Sequence, residues 1–328
     1  MGIHRWSITN RGVRKFGILI ALCISVSASG SECTAGYDPF SPSGIMPSGS
    51  MAGRCLEINH QVGDPDIPKR RSFRTLTPEE ASKVVPLEVI AAADPDIRYI
   101  ANVSHDGDFW VGMFHEMDAI ESISFQVERF PPEWIAAHTE LRFNLKAGKS
   151  VRLFSQTDPL KAATEISNFI MTVEGVPVVG GPKFNLVDAL KDKFGLAKRI
   201  VSLEDKVKTV IFKEMNTVYQ YPLAFSADQK NGFWKMALED LSDPEMKQVY
   251  HLLRKNCTNS LFELLDHFLG RERKLNSRVA TTLSIFARRS LLNRKIIDTE
   301  VELETLNKEF NGPVRKLACK KLLDPVVK

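Results

Sequence analysis

The sequence lacks the signatures of most cofactor and metal chemistry. It has no glycine-rich phosphate loop, no His-Glu-x-x-His motif and no cysteine pairs at zinc spacing, which removes the common nucleotide and zinc-site patterns. There is no internal repeat, so a solenoid or propeller is excluded. Cysteine is scarce, with 5 in 328 residues, and histidine occurs 7 times. Beyond the first 30 positions no apolar run reaches the roughly 18 residues that cross a bilayer as a helix. The net charge of +4 is mild, and by itself it names no partner. Nothing in the chain calls for a cofactor, and no residue set reads as a metal site.

What is present begins with a leader. Arg5, Arg11, Arg14 and Lys15 make a basic start, and Phe16 to Val26 is a short apolar run. Val26-Ser27-Ala28 suits cleavage after Ala28. An uncleaved membrane anchor is the competing reading. No small residue directly precedes Cys23 or Cys33, so a lipoprotein leader does not fit. The expected organisation is a signal peptide over 1–28, an irregular Gly/Pro/Ser-rich arm over 29–75, a catalytic-sized domain over 76–297 and a helical tail over 298–328. Cys33 and Cys55 both lie in the arm, and an exported compartment permits their pairing as a disulfide.

The domain shows mixed periodicities. Strands are expected over 97–103, 122–127, 135–145, 151–156, 171–173 and 217–221. Thr77-Pro-Glu-Glu opens a helix, and 184–190 and 203–215 read as helical or mixed. Asp243-Pro244-Glu245 reads as a helix start, with a helix running to about Lys255. After Asn256-Cys257-Thr258, Leu261, Leu264, Leu265 and Phe268 recur at helical spacing until Gly270. The fold class is therefore α+β, with room for one core.

This pattern places Cys257 at the N-terminus of a helix, where the backbone dipole and open N–H groups favour an anion. A thiol there has a lowered pKa and is a better nucleophile. The alternative is a buried structural cysteine. A nucleophile needs a base, and among the histidines His138 stands on a strand. Leu141, Phe143 and Leu145 alternate there with Arg142 and Asn144, which describes a half-buried strand with His138, Glu140, Arg142 and Asn144 on its polar face. Lys146-Ala147-Gly148 reads as a three-residue hairpin loop. That register pairs Phe143 with Val151 and Leu141 with Leu153, and sets His138 opposite Gln156. Gln156 would then hold the imidazole tautomer, giving a Cys257, His138, Gln156 arrangement of thiol, base and orienting amide. Arg142 would face Arg152, a tolerable pair if an anion sits nearby.

These segments resemble the Lnb N-terminal periplasmic domain family. Ile135-Ala-Ala-His138-Thr-Glu-Leu-Arg-Phe143 is similar to its "iAHtllSF" segment and Asn256-Cys257-Thr258 to its "NCTT". Ile97-Arg-Tyr-Ile-Ala-Asn102 is similar to its "v-x-v-x-N-v-R" strand, and Val218-Tyr-Gln-Tyr-Pro-Leu223 to its "vylYpl" strand. The resemblance spans about 97–292 and implies a circularly permuted papain-like fold in which histidine precedes cysteine, with an antiparallel sheet and the nucleophile at a helix N-terminus. The family includes bacterial lipoprotein N-acyltransferases, where the domain is joined to membrane helices. It implies His138 and Cys257 as the dyad, an exported periplasmic location and a stand-alone soluble member. Gln156 falls where the family usually has glutamate, Asp158 where it has arginine, and Arg142 replaces a small residue.

Between Arg271 and Lys295 the basic residues include Arg271, Arg273, Arg288, Arg289 and Arg294 against the single acid Glu272. This suggests an anionic partner near the site, most simply a phospholipid surface, with Asn256, Thr258, Arg142, Arg288 and Arg289 as candidate binding residues. A solvated helix face is the other explanation. Nucleic acid does not suit an exported protein. Three functions remain open on the sequence: a thiol acyltransferase or hydrolase acting on envelope lipid or lipoprotein, a cell-wall cysteine amidase or peptidase, and a non-catalytic envelope binding module.

Overall fold

The computed structural model describes residues 33, 38–58, 70–133, 136–272, 284–298 and 304–310. The leader over 1–28, Cys319 and residues 311–328 of the tail lie outside the described residues. Among those described, the strands are β1 (Arg74–Leu76), β2 (Ile97–His105), β3 (Asp108–His115), β4 (Ile120–Arg129), β5 (Ala137–Leu145), β6 (Val151–Ser155), β7 (Thr164–Ile166), β8 (Asn168–Val176), β9 (Phe194–Ser202), β10 (Thr217–Pro222), β11 (Val249–Tyr250) and β12 (Glu304–Thr305). The helices are α1 (Pro78–Ala81), α2 (Leu87–Ala91), α3 (Leu186–Ala189), α4 (Leu203–Lys206, continued as a π-helix over Val207–Lys213), α5 (Ala227–Leu241), α6 (Cys257–Phe268), α7 (Ala287–Asn293) and α8 (Leu306–Glu309).

The strands form one sheet in the order β12-β10-β4-β5-β8-β9-β2-β3-β6-β7, with β1 added to β2 and β11 to β9. All pairings are antiparallel except that of β2 with β9. The chain is thus α+β with a large, mostly antiparallel sheet. α5 and α6 cover one face. Phe233, Trp234, Leu261, Phe262 and Leu265 interlock there with Phe125, Leu141, Phe143 and Phe169 in a single apolar cluster. Phe143 and Phe169 stack at 5.2 Å, and Trp234 closes on both rings. α4, its π-helical continuation and α8 cover the other face through Leu203, Val207, Val210, Ile211 and Leu306 packed on Ile170 and Val218.

The expected hairpin does not form. Gly148 does occupy the left-handed region at φ 79°, and Lys149 N–H donates to the Lys146 carbonyl. Yet β5 pairs with β4 and β8, whereas β6 pairs with β3 and β7. β5 is a central strand, and Thr139 to Phe143 are buried without alternation. Its supposed polar face is a second interior layer. Arg142 stands beside Ser124 and Ile170, not Arg152. Its guanidinium makes two bonds to Glu309, at 2.6 and 2.8 Å, and so clamps α8 to the sheet. β3 and β9 escape sequence detection for the same reason: both are buried on both faces and lack the period of two, β9 even at Lys198 and Arg199.

The expected helix over 244–255 is also absent. Val249–Tyr250 instead adds to β9 opposite Phe194 and Gly195, and His251 bridges Lys255 in a tight turn. The true helix of this region is α5, opened by a capping box of Ser226 with Gln229. α1 forms as expected, and Thr77 and Glu80 close a capping box at its start.

The arm is not a free linker. The Cys33–Cys55 disulfide is present, and Met46, Leu56 and Ile58 pack on Val176, Val178, Ala197 and Met246. Asp38 pairs with buried Arg71. Arg294, expected on a basic surface, is interior: its guanidinium holds Asp266 of α6 with two bonds of 2.7 Å and stacks over Phe262. Removing one partner of a buried pair leaves the other charge uncompensated. Asp266→Ala is therefore expected to destabilise the domain by about 3–5 kcal/mol, measured as a fall in the urea midpoint.

Candidate active site

α6 starts on Cys257 because Asn256 is extended, at φ −126° and ψ −179°, and its Oδ1 accepts from the Asn259 N–H at 2.7 Å. The Asn256 amide nitrogen also donates to the Leu252 carbonyl. Asn256 is thus the cap that aims the first turn, a different role from the ligand contact expected of it. Thr258 is likewise turned inward. Its hydroxyl meets Thr139 at 3.2 Å and Ser284 at 2.6 Å, and Ser284 donates to the Ala137 carbonyl at 2.8 Å. This chain of hydroxyls fastens the start of α6 to the start of β5.

The fastening sets the Cys257 thiol against the His138 imidazole, 119 positions away in sequence. His138 Nε2 lies 2.6 Å from the Thr172 hydroxyl on β8, leaving Nδ1 for the thiol. Burial would push the thiol up, but the His138 charge and its hydrogen bond override that and bring Cys257 down to about 6. The Thr139 N–H and Thr258 hydroxyl add to the effect, the latter 3.7 Å from the sulfur. Burial would lower His138, but the facing thiolate raises it to about 9. Near neutral pH the pair is thiolate and imidazolium.

Gln156 does not join it. At the end of β6, Gln156 Oε1 accepts the Asn102 N–H at 2.6 Å, and its amide nitrogen donates to Asp38 at 2.9 Å. Asn102 is a left-handed residue at φ 62°, at the register shift of β2, so Gln156 clamps a kink and the arm. Thr172 takes the place expected of it beside the imidazole. No signal in the sequence points to Thr172, because its neighbour relation depends on β5 pairing with β8.

Behind His138 lies a buried charge network. Lys206 Nζ is 2.7 Å from Glu140 and 3.3 Å from Glu128, and Glu140 is 3.9 Å from His138 Nε2. Burial raises Glu140, whose oxygens accept no aligned hydrogen bond. Burial would lower Lys206, yet Glu140 and Glu128 hold it above the usual ammonium range. Glu174, next along, would also be raised by burial, but Arg199 at 2.7 Å and Arg70 at 2.9 Å hold it well below the carboxylate range.

Sequence reasoning also passes over Tyr250. It reaches Cys257 with its hydroxyl, in contact with both the sulfur and the backbone N–H. Burial, and then the thiolate, raise its pKa well above normal. Its ring meets Phe184 edge-on at 5.5 Å. Gly175 lies beneath both rings; a Cβ there would meet Phe184 at 2.8 Å and Tyr250 at 3.4 Å.

Cys257, His138 and Tyr250 open into a cavity of about 1100 Å³. Its walls mix apolar residues, among them Val173, Phe184, Leu186 and Leu252, with the charged Arg70, Glu174, Arg199, Lys206, Lys208 and Glu214. Arg288 and Arg289 are exposed on α7 and are not among its walls. Among the described residues no helix is long and apolar enough to cross a membrane.

Fold and site together define an α+β domain carrying a buried thiol–imidazole pair at a helix start. The Lnb N-terminal periplasmic domain family model matches residues 116–292, more than half of the chain, and the protein belongs to that family. Its location is the periplasm, with an envelope-associated role. The match includes His138, Tyr250 and Cys257 and begins after the 97–102 segment that resembles a family strand. No curated protein and no solved structure matches the chain.

Two substitutions separate the roles of the imidazole and the amide. For His138→Ala, the pH midpoint of Cys257 alkylation by iodoacetamide should rise from about 6 toward the ordinary thiol value of about 8.5, since the largest influence opposing burial is removed while the Thr139 N–H and Thr258 hydroxyl stay. Gln156→Ala should leave that midpoint in place and instead cost about 1–3 kcal/mol of stability, by stranding the buried Asn102 N–H. A midpoint shift in Gln156→Ala would restore it to the site.

Proposed function

We propose that the chain is a thiol-dependent acyltransferase or hydrolase of the bacterial envelope, acting on the acyl groups of a lipid or lipoprotein. The observation that carries this is the Cys257–His138 pair opening into a large cavity walled by both apolar and charged side chains. An ionised thiol beside a protonated imidazole is ready for attack on a carbonyl. The apolar wall residues Val173, Phe184, Leu186 and Leu252 suit an acyl chain better than a cell-wall peptide, which is why the lipid reading is preferred to the amidase alternative. The order of histidine before cysteine, with the cysteine at a helix start, is that of a circularly permuted papain-like enzyme.

In this mechanism the Cys257 thiolate adds to the ester carbonyl carbon. The resulting oxyanion is taken up by the Cys257 N–H and the Tyr250 hydroxyl, which bond to each other beside the sulfur before substrate enters. His138 gives its proton to the departing alcohol oxygen, leaving a thioester on Cys257 and a neutral imidazole. Neutral His138 then takes a proton from water or an amine as that acceptor attacks the thioester carbonyl. Thiolate leaves, and the imidazolium is restored. Thr172 keeps the ring in place throughout, with Glu140 behind it. The rate should be bell-shaped in pH, with limbs near 6 and 9 that belong to the pair.

Intact-mass measurement after incubation with phosphatidylethanolamine tests the proposal. Acyl mass is expected on the native protein and absent from Cys257→Ala. Tyr250→Phe should slow acylation roughly a hundredfold, with little effect on iodoacetamide alkylation, which develops no oxyanion. A native protein that gains no acyl mass from phospholipid or from diacylated lipopeptide would overturn the reading.

A further inference from the structure

Part of the cavity's apolar wall continues outward onto the surface. Phe184 and Leu186 line it, and beside them Val179, Phe184, Val187, Leu190 and Leu253 are between 37% and 61% exposed. The grouping is spatial as well as sequential. The Leu252 N–H bonds to the Ala189 carbonyl, and Val179 N–H to the Cys55 carbonyl, so α3, the 251–255 turn and the disulfide-held arm form one face. On α3, Ala189 is buried and Leu186 faces the cavity, while Val187 and Leu190 share the outward side. Large side chains left in water at the mouth of a cavity indicate something that covers them.

The charges around this face are one-sided. Arg54, Lys191 and Arg254 are exposed about it. Its acids are withdrawn: Asp188 and Asp192 are half-buried, and Asp188 is held by Lys193 at 2.7 Å. An apolar centre with a cationic rim matches the boundary of an anionic bilayer, where acyl chains lie beneath phosphate. We infer that this face, built by α3, the turn after β11 and the arm, docks the domain on an anionic lipid surface, so that an acyl chain enters the cavity directly from the membrane. The inference rests on the lipid reading of the site and adds to it the side from which substrate arrives. It also replaces the basic stretch over 271–295 as the membrane-facing element, since Arg294 of that stretch is an internal ion pair.

The test is co-sedimentation of the full chain with phosphatidylethanolamine/phosphatidylglycerol vesicles, set beside neutral phosphatidylcholine vesicles. Iodoacetamide labelling of Cys257 serves as the check that the site is intact. Val187→Asp with Leu190→Asp should weaken binding to the anionic vesicles at least tenfold and leave the labelling rate within twofold of native. Lys191→Glu with Arg254→Glu should weaken it several-fold, whereas Arg288→Glu with Arg289→Glu should leave it unchanged. The inference is overturned if the aspartate pair binds like the native protein, or if only the Arg288/Arg289 pair loses binding. It is also overturned if the native protein ignores vesicles and the aspartate pair instead breaks up a dimer, which would make a second copy the occupant. Vesicle docking without acyl mass on Cys257 would sink the enzymatic reading and leave the surface standing. Acyl mass acquired from detergent micelles without vesicle docking would do the reverse.

Discussion

The mutual charging of Cys257 and His138 prevails over a burial that opposes the charge on each. Either group alone at that depth would be neutral, because burial penalises a lone charge. Together they are an ion pair whose separation is set by the Thr258–Ser284–Ala137 hydroxyl chain and by the Asn256 cap. Those bonds join the first turn of α6 to the first residues of β5. They hold because α6 is pressed onto the sheet by Phe262, Leu261 and Leu265.

The charges behind the dyad follow from the same geometry. A central strand covered on both faces has no solvent side for its polar residues, so Glu140 and Arg142 must find partners inside. Glu140 takes Lys206 from α4, and Arg142 takes Glu309 from α8. One of these interior carboxylates sits within reach of the imidazole, so the packing of α4 onto the sheet also sets the field at His138. Changes in that helix far from the thiol are thereby linked to its ionisation.

The outer surfaces divide the work differently from the distribution of charge along the chain. The stretch after α6 is the most basic in sequence, yet its Arg294 faces inward to Asp266. The cationic residues that do surround an apolar face come from three separate segments, at Arg54, Lys191 and Arg254. Their meeting depends on the disulfide-held arm folding back against β8 and β9 through Met46, Leu56 and Ile58.

Much of the site is legible in the amino-acid sequence. Cys257 at a helix start follows from local signals: an apolar period of 3.6 after it and a terminal glycine. His138 follows from its place on a strand and from the family resemblance, and the α+β class from alternating periodicities. Local chemistry carries these because it acts over a turn or a few strand residues. The third partner of the imidazole is not legible. Gln156 is favoured by a hairpin whose turn residues are real but whose strands part to opposite regions of the sheet, and Thr172 reaches His138 only because β5 lies beside β8. Tyr250 is hidden inside a supposed helix, since Asp243-Pro244-Glu245 carries a helix-start pattern that pairing with β9 overrides. Sequence by itself determined that Cys257 starts a helix, that His138 lies on a strand, and most of the element types. Which strands are neighbours, which polar faces are interior and what surrounds the thiol were decided by tertiary structure, because strand pairing is chosen by the burial of both sheet faces at once and no single segment encodes it.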